Sequence, residues 1–380
     1  MNAQWAKLLQ ALREPEAMRG FDAPTWDLVL RQALPTGLIG RLGLQAKDRG
    51  FLHELPRPVW QAMESMLSYV ERQRLAVEWE LTHLQVLFEG FAGPVLLLKG
   101  AAYVAADLSA ARGRMFSDID LLVPSALLEN AELRLRSGGW FSAVDNPYDE
   151  RYYRQWMHEL PPMLQGRRGT ALDLHHRLLP QTARIQTPPE PLLAASRSLP
   201  GRAPFAVPEP MDLVLHSACH LFHEGEGSHL LRDLSDIDTL LRVEMALQGE
   251  ALWPRLIERS LELNLQRPLF YALRFAQRLL ALPVPEAVSE LLPGPPRWQR
   301  PLMDALFVRA FSMAHTPSRL RGSGMAALAL YVRGHALRMP LPLLIPHLVR
   351  KAVMGWQEAK EEEEPSPAGP EQADTRADLR

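Results

Sequence analysis

Residues 114–123 read RMFSDIDLLV, and the tetrapeptide SDID returns in RDLSDIDTLL at 232–241. Different flanks give the two copies different structures. In the first, Asp118 and Asp120 lead into Leu121, Leu122 and Val123, a short apolar run bounded by Gly113 and Pro124. That pattern predicts a buried strand. A strand sends residues i and i+2 to one face, so both carboxylates project together. Around the second copy, Leu230, Leu231, Leu234, Ile237, Leu240 and Leu241 fall on one helical stripe. Asp236 and Asp238 then point about 200° apart. Only the first copy builds a carboxylate pair. Buried side by side, two such groups repel and each resists desolvation, so they need compensation. A divalent cation supplies it; solvation at the sheet's rim, or bonds to backbone amides, is the bland alternative.

Working outward, GPVLLLKGAAYVAADL places a short strand at Val95–Leu98 that stops at Lys99-Gly100, with a helix over 101–108 in which Tyr103 packs toward the sheet. A helix at 125–137 ends at Gly138-Gly139. Residues 140–180 read as further strands: WFSAV, RYYRQWMHEL, PPMLQG and TALDLHHRL. In the last, Asp173 and His175 alternate with Leu172 and Leu174, so acid and imidazole share a face. Residues 1–90 read as helical, most clearly from Pro58 to Phe91, as one helix or two. From Met211 helices return between proline-rich turns. The expected fold is α+β: a small mixed-sheet core at 91–200, an N-terminal helical region at 1–90, a C-terminal one at 201–357, and a disordered acidic tail at 358–380.

The 380 residues are 47% apolar with a formal charge of -2, enough for a real core. No apolar run reaches the roughly 20 residues that span a bilayer, and MNAQWAKLLQALREPE lacks the apolar stretch of a secretory signal. A single cysteine, Cys219, excludes an internal disulfide and fits a reducing cytosol. The expected location is cytoplasmic.

Lys99-Gly100 at a helix start, Arg114 four residues before Asp118, the carboxylate pair and a third strand carboxylate at Asp173 are the parts that handle a nucleoside triphosphate. Carboxylates hold Mg²⁺, the metal bridges phosphate oxygens, and cations neutralise the leaving pyrophosphate. Glycine lets backbone N–H groups approach a phosphate.

LLLKGAAYVAADLSAARGRMFSDIDLLV, together with ALDLHHRL, resembles the bacterial family of uncharacterised nucleotidyltransferases, a branch of the DNA polymerase β-like nucleotidyltransferase superfamily. The family's pattern runs LLKG, a spacer, then R-x-x-x-D-I-D-L-L-V and later [DE]-L-H, and the resemblance covers residues 60–350. It implies a nucleotidyltransferase core with Asp118 and Asp120 as the Mg²⁺ (or Mn²⁺) pair. Asp173 is the implied third carboxylate, on the metal or as base for the incoming hydroxyl. Lys99 and Arg114 would contact the triphosphate of an NTP such as ATP, with Gly100, Ser117 and His175 completing the nucleotide-binding set. Where the superfamily carries a Gly-Ser turn, this chain has Lys99-Gly100, which supplies a charge but not the serine hydroxyl. The implied activity is transfer of NMP to a hydroxyl-bearing acceptor: a small molecule, a peptide, a protein side chain or a glycan precursor. No specific nucleic acid is predicted. The alternative is a catalytically degenerate module that binds a nucleotide or a partner.

Three further features remain open. In HSACHLFHEGEGSH, His216, His220 and His223 form a helical stripe beside Cys219. It suits zinc, although the glutamate of HExxH is missing; it equally suits the lining of the nucleotide cleft or simple packing. Asp233 and Asp236 face that cleft or are solvated helix acids. Residues 305–357 contain no acid, while Arg309, Arg319, Arg321, Arg333, Arg338, Arg350 and Lys351 lie among apolar segments. This predicts either peripheral contact with an anionic inner-membrane surface or buried helices with basic rims. No GxSxG or GxxxxGK[ST] element occurs, which disfavours serine hydrolase and P-loop chemistry.

Overall fold

The structure is a computed structural model that describes residues 3–144, 146–224, 229–312, 319–340, 342 and 344. The tail expected at 358–380 lies outside the described residues, as does most of the basic stretch beyond 340. The expected α+β architecture is present. A seven-stranded mixed sheet is built from β1 (Val95–Leu97), β2 (Asp118–Leu122), β3 (Trp140–Ser142), β4 (Met163–Gln165), β5 (Ala171–His175), β6 (Arg197–Ser198) and β7 (Phe205–Val207), in the order β3-β4-β5-β2-β1-β7-β6. β2 pairs parallel with β5 and β1 pairs parallel with β7; the other neighbours are antiparallel. β7 lies just past residue 200, where helices were expected to begin. Helices pack around this sheet, and one continuous apolar core runs through both.

The central strands are short and apolar because both faces are covered. Val95, Leu96 and Leu97 of β1 are fully buried, as are Leu121 and Leu122 of β2. The stretch from Pro58 forms one helix, Arg57–Leu87 (31 residues), opened by proline and burying Val59, Met63, Val70, Val77, Leu81 and Leu84 on a single stripe.

One segment departs from expectation. The Tyr- and Trp-rich RYYRQWMHEL was read as a strand, but Pro147–Trp156 is a helix. Local chemistry overrides β-propensity there. The Asn146 side chain accepts from the Asp149 N–H, proline stands in the first turn, and Asp149 and Glu150 complement the positive end of the helix. Glu150 and Arg154 then pair one turn apart at 2.7 Å.

The basic residues of the C-terminal region are partly internal. Arg333, on the helix Ser323–Arg338, donates to the Phe222 carbonyl at 2.8 Å and lies over the rings of Tyr271 and Phe307; Arg338 is buried too. Arg319 and Arg321 are exposed, as are Met325 and Leu328 on the same helix as Arg333. No described helix is long and apolar enough to cross a membrane.

The N-terminal helices seat directly on the turn that feeds β2. A Cβ on Gly40, in the helix Ile39–Asp48, would stand 2.7 Å from the Gly113 carbonyl oxygen. Gly113 has φ +71°, and a Cβ there would stand 2.9 Å from the Gly40 carbonyl oxygen. Backbone thus touches backbone. Gly40→Ala should cost about 1–3 kcal/mol by overpacking, and Gly113→Ala more, because it adds left-handed strain. Gly20→Ala, which meets nothing within 4 Å, should be close to neutral. Urea unfolding of the three variants checks this ordering.

Candidate functional site

Register creates the site. On the parallel pair β2–β5, Asp118 stands opposite Ala171, Asp120 opposite Asp173, and Leu122 opposite His175. Residues opposite one another on neighbouring strands share a face, so Asp118, Asp120, Asp173 and His175 all lie on one side of the sheet. Ligand atoms of Asp120, Asp173 and His175 lie within 4.8 Å of one another. Asp118 begins the same face, half-buried, and its Oδ1 accepts from Ser117 Oγ at 2.6 Å.

Neighbours drive the two central acids in opposite directions. Burial opposes ionisation of Asp120, but the Lys99 ammonium (Nζ–Oδ1 2.8 Å) and His175 (Nε2–Oδ1 3.2 Å) outweigh it and hold the carboxyl well below the usual range. Burial raises Asp173, and repulsion from Asp120, Glu159 and Asp118 adds to it, so its pKa is pushed up to about 8. One acid is firmly charged and its neighbour is poised near neutral pH. The donors, two carboxylates and an imidazole, fit a divalent cation, and such a cation would relieve the repulsion on Asp173.

Both cationic residues expected at the triphosphate also pair with acids of this chain. Lys99 adopts φ +43°, places its ammonium on Asp120 and lines the cavity described below. Arg114, expected on the triphosphate, is buried: its Nε donates to Asp236 Oδ2 at 2.8 Å and its Nη1 to the Met115 carbonyl at 3.0 Å. Arg41 takes the other Asp236 oxygen at 2.7 Å and also donates to Ser235 and the Ala110 carbonyl. The second SDID therefore matters. Asp236, read as a solvated or cleft-facing helix acid, is the buried centre of an Arg–Asp–Arg clasp joining three parts of the chain. The expectation that Asp236 and Asp238 diverge holds, since Asp238 pairs with Arg242 instead. Gly100 is explained by the same clasp, because a Cβ there would stand 2.8 Å from Arg114 Nη1 and 2.9 Å from the Phe116 ring.

A cavity of about 90 Å³ lies between the sheet and the helices beyond it. Lys99, Gly100, Arg114, Ser117, Asp118 and Asp120 line one side; Ser217, His220, Arg232, Asp233 and Asp236 line the other. Tyr103 also reaches it and bonds Ser217 Oγ at 2.7 Å. Of the histidine stripe, His220 reaches this cavity. His216 is buried, and burial together with the nearby Lys99 charge holds its pKa well below the ordinary value. Among the described residues the stripe joins none of the groups arranged to hold a metal.

Sequence reasoning missed Arg41, Arg232 and Glu159. Arg41 carried a faint signal, an arginine between Ile39 and Leu42 on the buried side of its helix. Glu159 lies past the end of the helix Pro147–Trp156, where it bridges to His175.

Asp236→Ala leaves two guanidinium groups buried without their carboxylate and should cost about 3–5 kcal/mol in urea unfolding. Removing the exposed Asp27 partner of Arg31 should change stability by less than about 1 kcal/mol. A pH dependence also follows. Asp173 keeps its proton in the folded state up to about pH 8, whereas an unfolded carboxyl loses it near 3.8. Between those values the native state binds the extra proton, so this group's contribution to stability falls as pH rises and levels off above 8. Asp173→Asn should therefore gain stability relative to wild type as pH is raised from 5 to 8 without divalent metal. A constant difference across that window would contradict the assignment.

The sequence model of a family described as uncharacterised nucleotidyltransferase matches residues 22–281, more than half of the chain's 380 residues. The match begins and ends earlier than the 60–350 stretch of the resemblance, and it contains the whole cluster of acids together with Arg41, Arg232 and Asp236. No curated protein and no solved structure matches the chain. With its strand carboxylates in register and this match spanning them, the chain belongs to the uncharacterised nucleotidyltransferase family.

Proposed function

We propose that the protein transfers a nucleoside monophosphate from an NTP to a hydroxyl group of an acceptor, in the presence of Mg²⁺ or Mn²⁺. The acceptor oxygen bonds to the α-phosphorus, the bridging P–O bond to the β-phosphate breaks, and pyrophosphate leaves. The observation carrying this reading is the register that sets Asp120 against Asp173 with Asp118 on the same face. Asp118 and Asp120 would hold the cation, which when bound neutralises phosphate oxygens and favours displacement at the α-phosphorus. Asp173 either completes that ligand set or, left off the cation with its proton affinity raised by burial and by Asp120, receives the acceptor hydroxyl's proton. Lys99, His220 and Arg232 bring basic groups to the cavity from three elements and suit an anionic substrate. Arg114 acts at one remove, by holding Asp236 and the turn before β2.

A second reading is favoured by one contact. The Lys99 ammonium already neutralises Asp120 from within the chain. That arrangement suits a module which binds a nucleotide or a partner without turnover.

Incubation of the protein with each α-³²P-labelled NTP, Mg²⁺ or Mn²⁺ and cell extract separates the two. Nucleotidyl transfer predicts label in an acceptor, falling to background in Asp118→Ala. Metal-dependent nucleotide binding with no labelled acceptor would favour the binding module. Labelling that persists unchanged in Asp118→Ala would remove the proposed site.

A further inference from the structure

His175 faces two carboxylates at once. Its Nε2 lies 3.2 Å from Asp120 Oδ1, and its Nδ1 lies 3.3 Å from Glu159 Oε2. The imidazole of the preceding residue, His158, has its Nε2 3.7 Å from the same glutamate oxygen. That distance is too long for a hydrogen bond. The two imidazoles also pack against each other, with ring centroids 5.3 Å apart and planes tilted by 39°.

The separations bring all three groups within reach of one cation. With zinc–nitrogen and zinc–oxygen distances of about 2.0–2.2 Å, neighbouring ligand atoms of a tetrahedral site stand about 3.3 Å apart. His158, Glu159 and His175 present two nitrogens and one oxygen that all lie within 4.8 Å of one another. Both histidines are 3% exposed. Backbone pairing fixes the frame: Glu159 bridges to His175, Leu160 N–H donates to the Leu174 carbonyl, and His176 N–H donates to the His158 carbonyl. The outer contact is also in place. A metal-bound histidine characteristically donates its other ring N–H to a carboxylate, and the second nitrogen of His175 faces Asp120.

We propose that His158, Glu159 and His175 form a second cation site, nitrogen-rich and selective for zinc, alongside the acidic site for Mg²⁺ or Mn²⁺. Two imidazoles with one carboxylate suit a borderline ion, whereas clustered carboxylates suit a hard one. The sites meet at His175, whose Nδ1 would bind zinc while its Nε2–H donates to Asp120. Zinc there would neutralise Glu159 and pin the 158–160 segment to β5. This assignment stands on geometry independent of nucleotidyl transfer, so either can fail alone.

The test uses the full chain, stripped of metal and titrated with Zn²⁺ against a chromogenic chelator in millimolar Mg²⁺. One zinc per chain is expected. Affinity should be at least tenfold weaker in His158→Ala and in Glu159→Gln, and retained in Asp118→Ala. X-ray absorption at the zinc edge of the wild-type protein should show two imidazole ligands, a readout that does not depend on how the variants fold. Failure to bind one zinc per chain, affinity unchanged in both variants, or fewer than two imidazoles on the bound ion would each overturn the proposal.

Discussion

Two carboxylates, Asp120 and Asp173, are forced side by side by the parallel register of β2 and β5, and much of the surrounding polar structure answers that confinement. Neither can swing away, because each is anchored on a strand whose opposite face is sealed by Ile119, Leu121, Leu172 and Leu174. Repulsion between buried like charges must then be met by nearby groups. Lys99 and His175 stabilise the charge on Asp120. Asp173 is left holding a proton. This asymmetry gives one sheet face both a fixed anion and a carboxyl that titrates near neutral pH.

A second constraint shapes the opposite wall. The clasp of Asp236 with Arg41 and Arg114 draws together the N-terminal helix Ile39–Asp48, the turn before β2 and the helix Leu230–Gln248. All three ionic groups are buried, so any one left alone would be far more costly than the assembled set. The close backbone contact of Gly40 with Gly113 serves the same docking. The cavity lies where these segments meet around Asp118 and Asp120, and the family match, from residue 22, takes in all of them.

Legibility in the sequence followed the range of the interactions. The strand at Asp118–Leu122, the alternation around Asp173 and the long helix from Arg57 could be read because their patterns are set by neighbours within a few residues. The stretch 151–160 was read with its neighbours as a strand, while capping by Asn146 and an i, i+4 ion pair decided for a helix over Pro147–Trp156. Arg114 was assigned to the triphosphate by family resemblance, and its ion pair with Asp236 spans 122 positions of the chain. No local pattern reports a pairing of that kind.

By itself the sequence determined which residues alternate, where apolar runs begin and end, and that Asp118 and Asp120 share a face, because two-residue periodicity is a property of the backbone. Only the tertiary structure decided that Asp173 would stand opposite Asp120, that Lys99 would turn to an acid, and that the second SDID would supply a buried counter-ion. Those outcomes depend on strand register and on which charges must neutralise one another away from water, and both are settled by packing of segments distant along the chain.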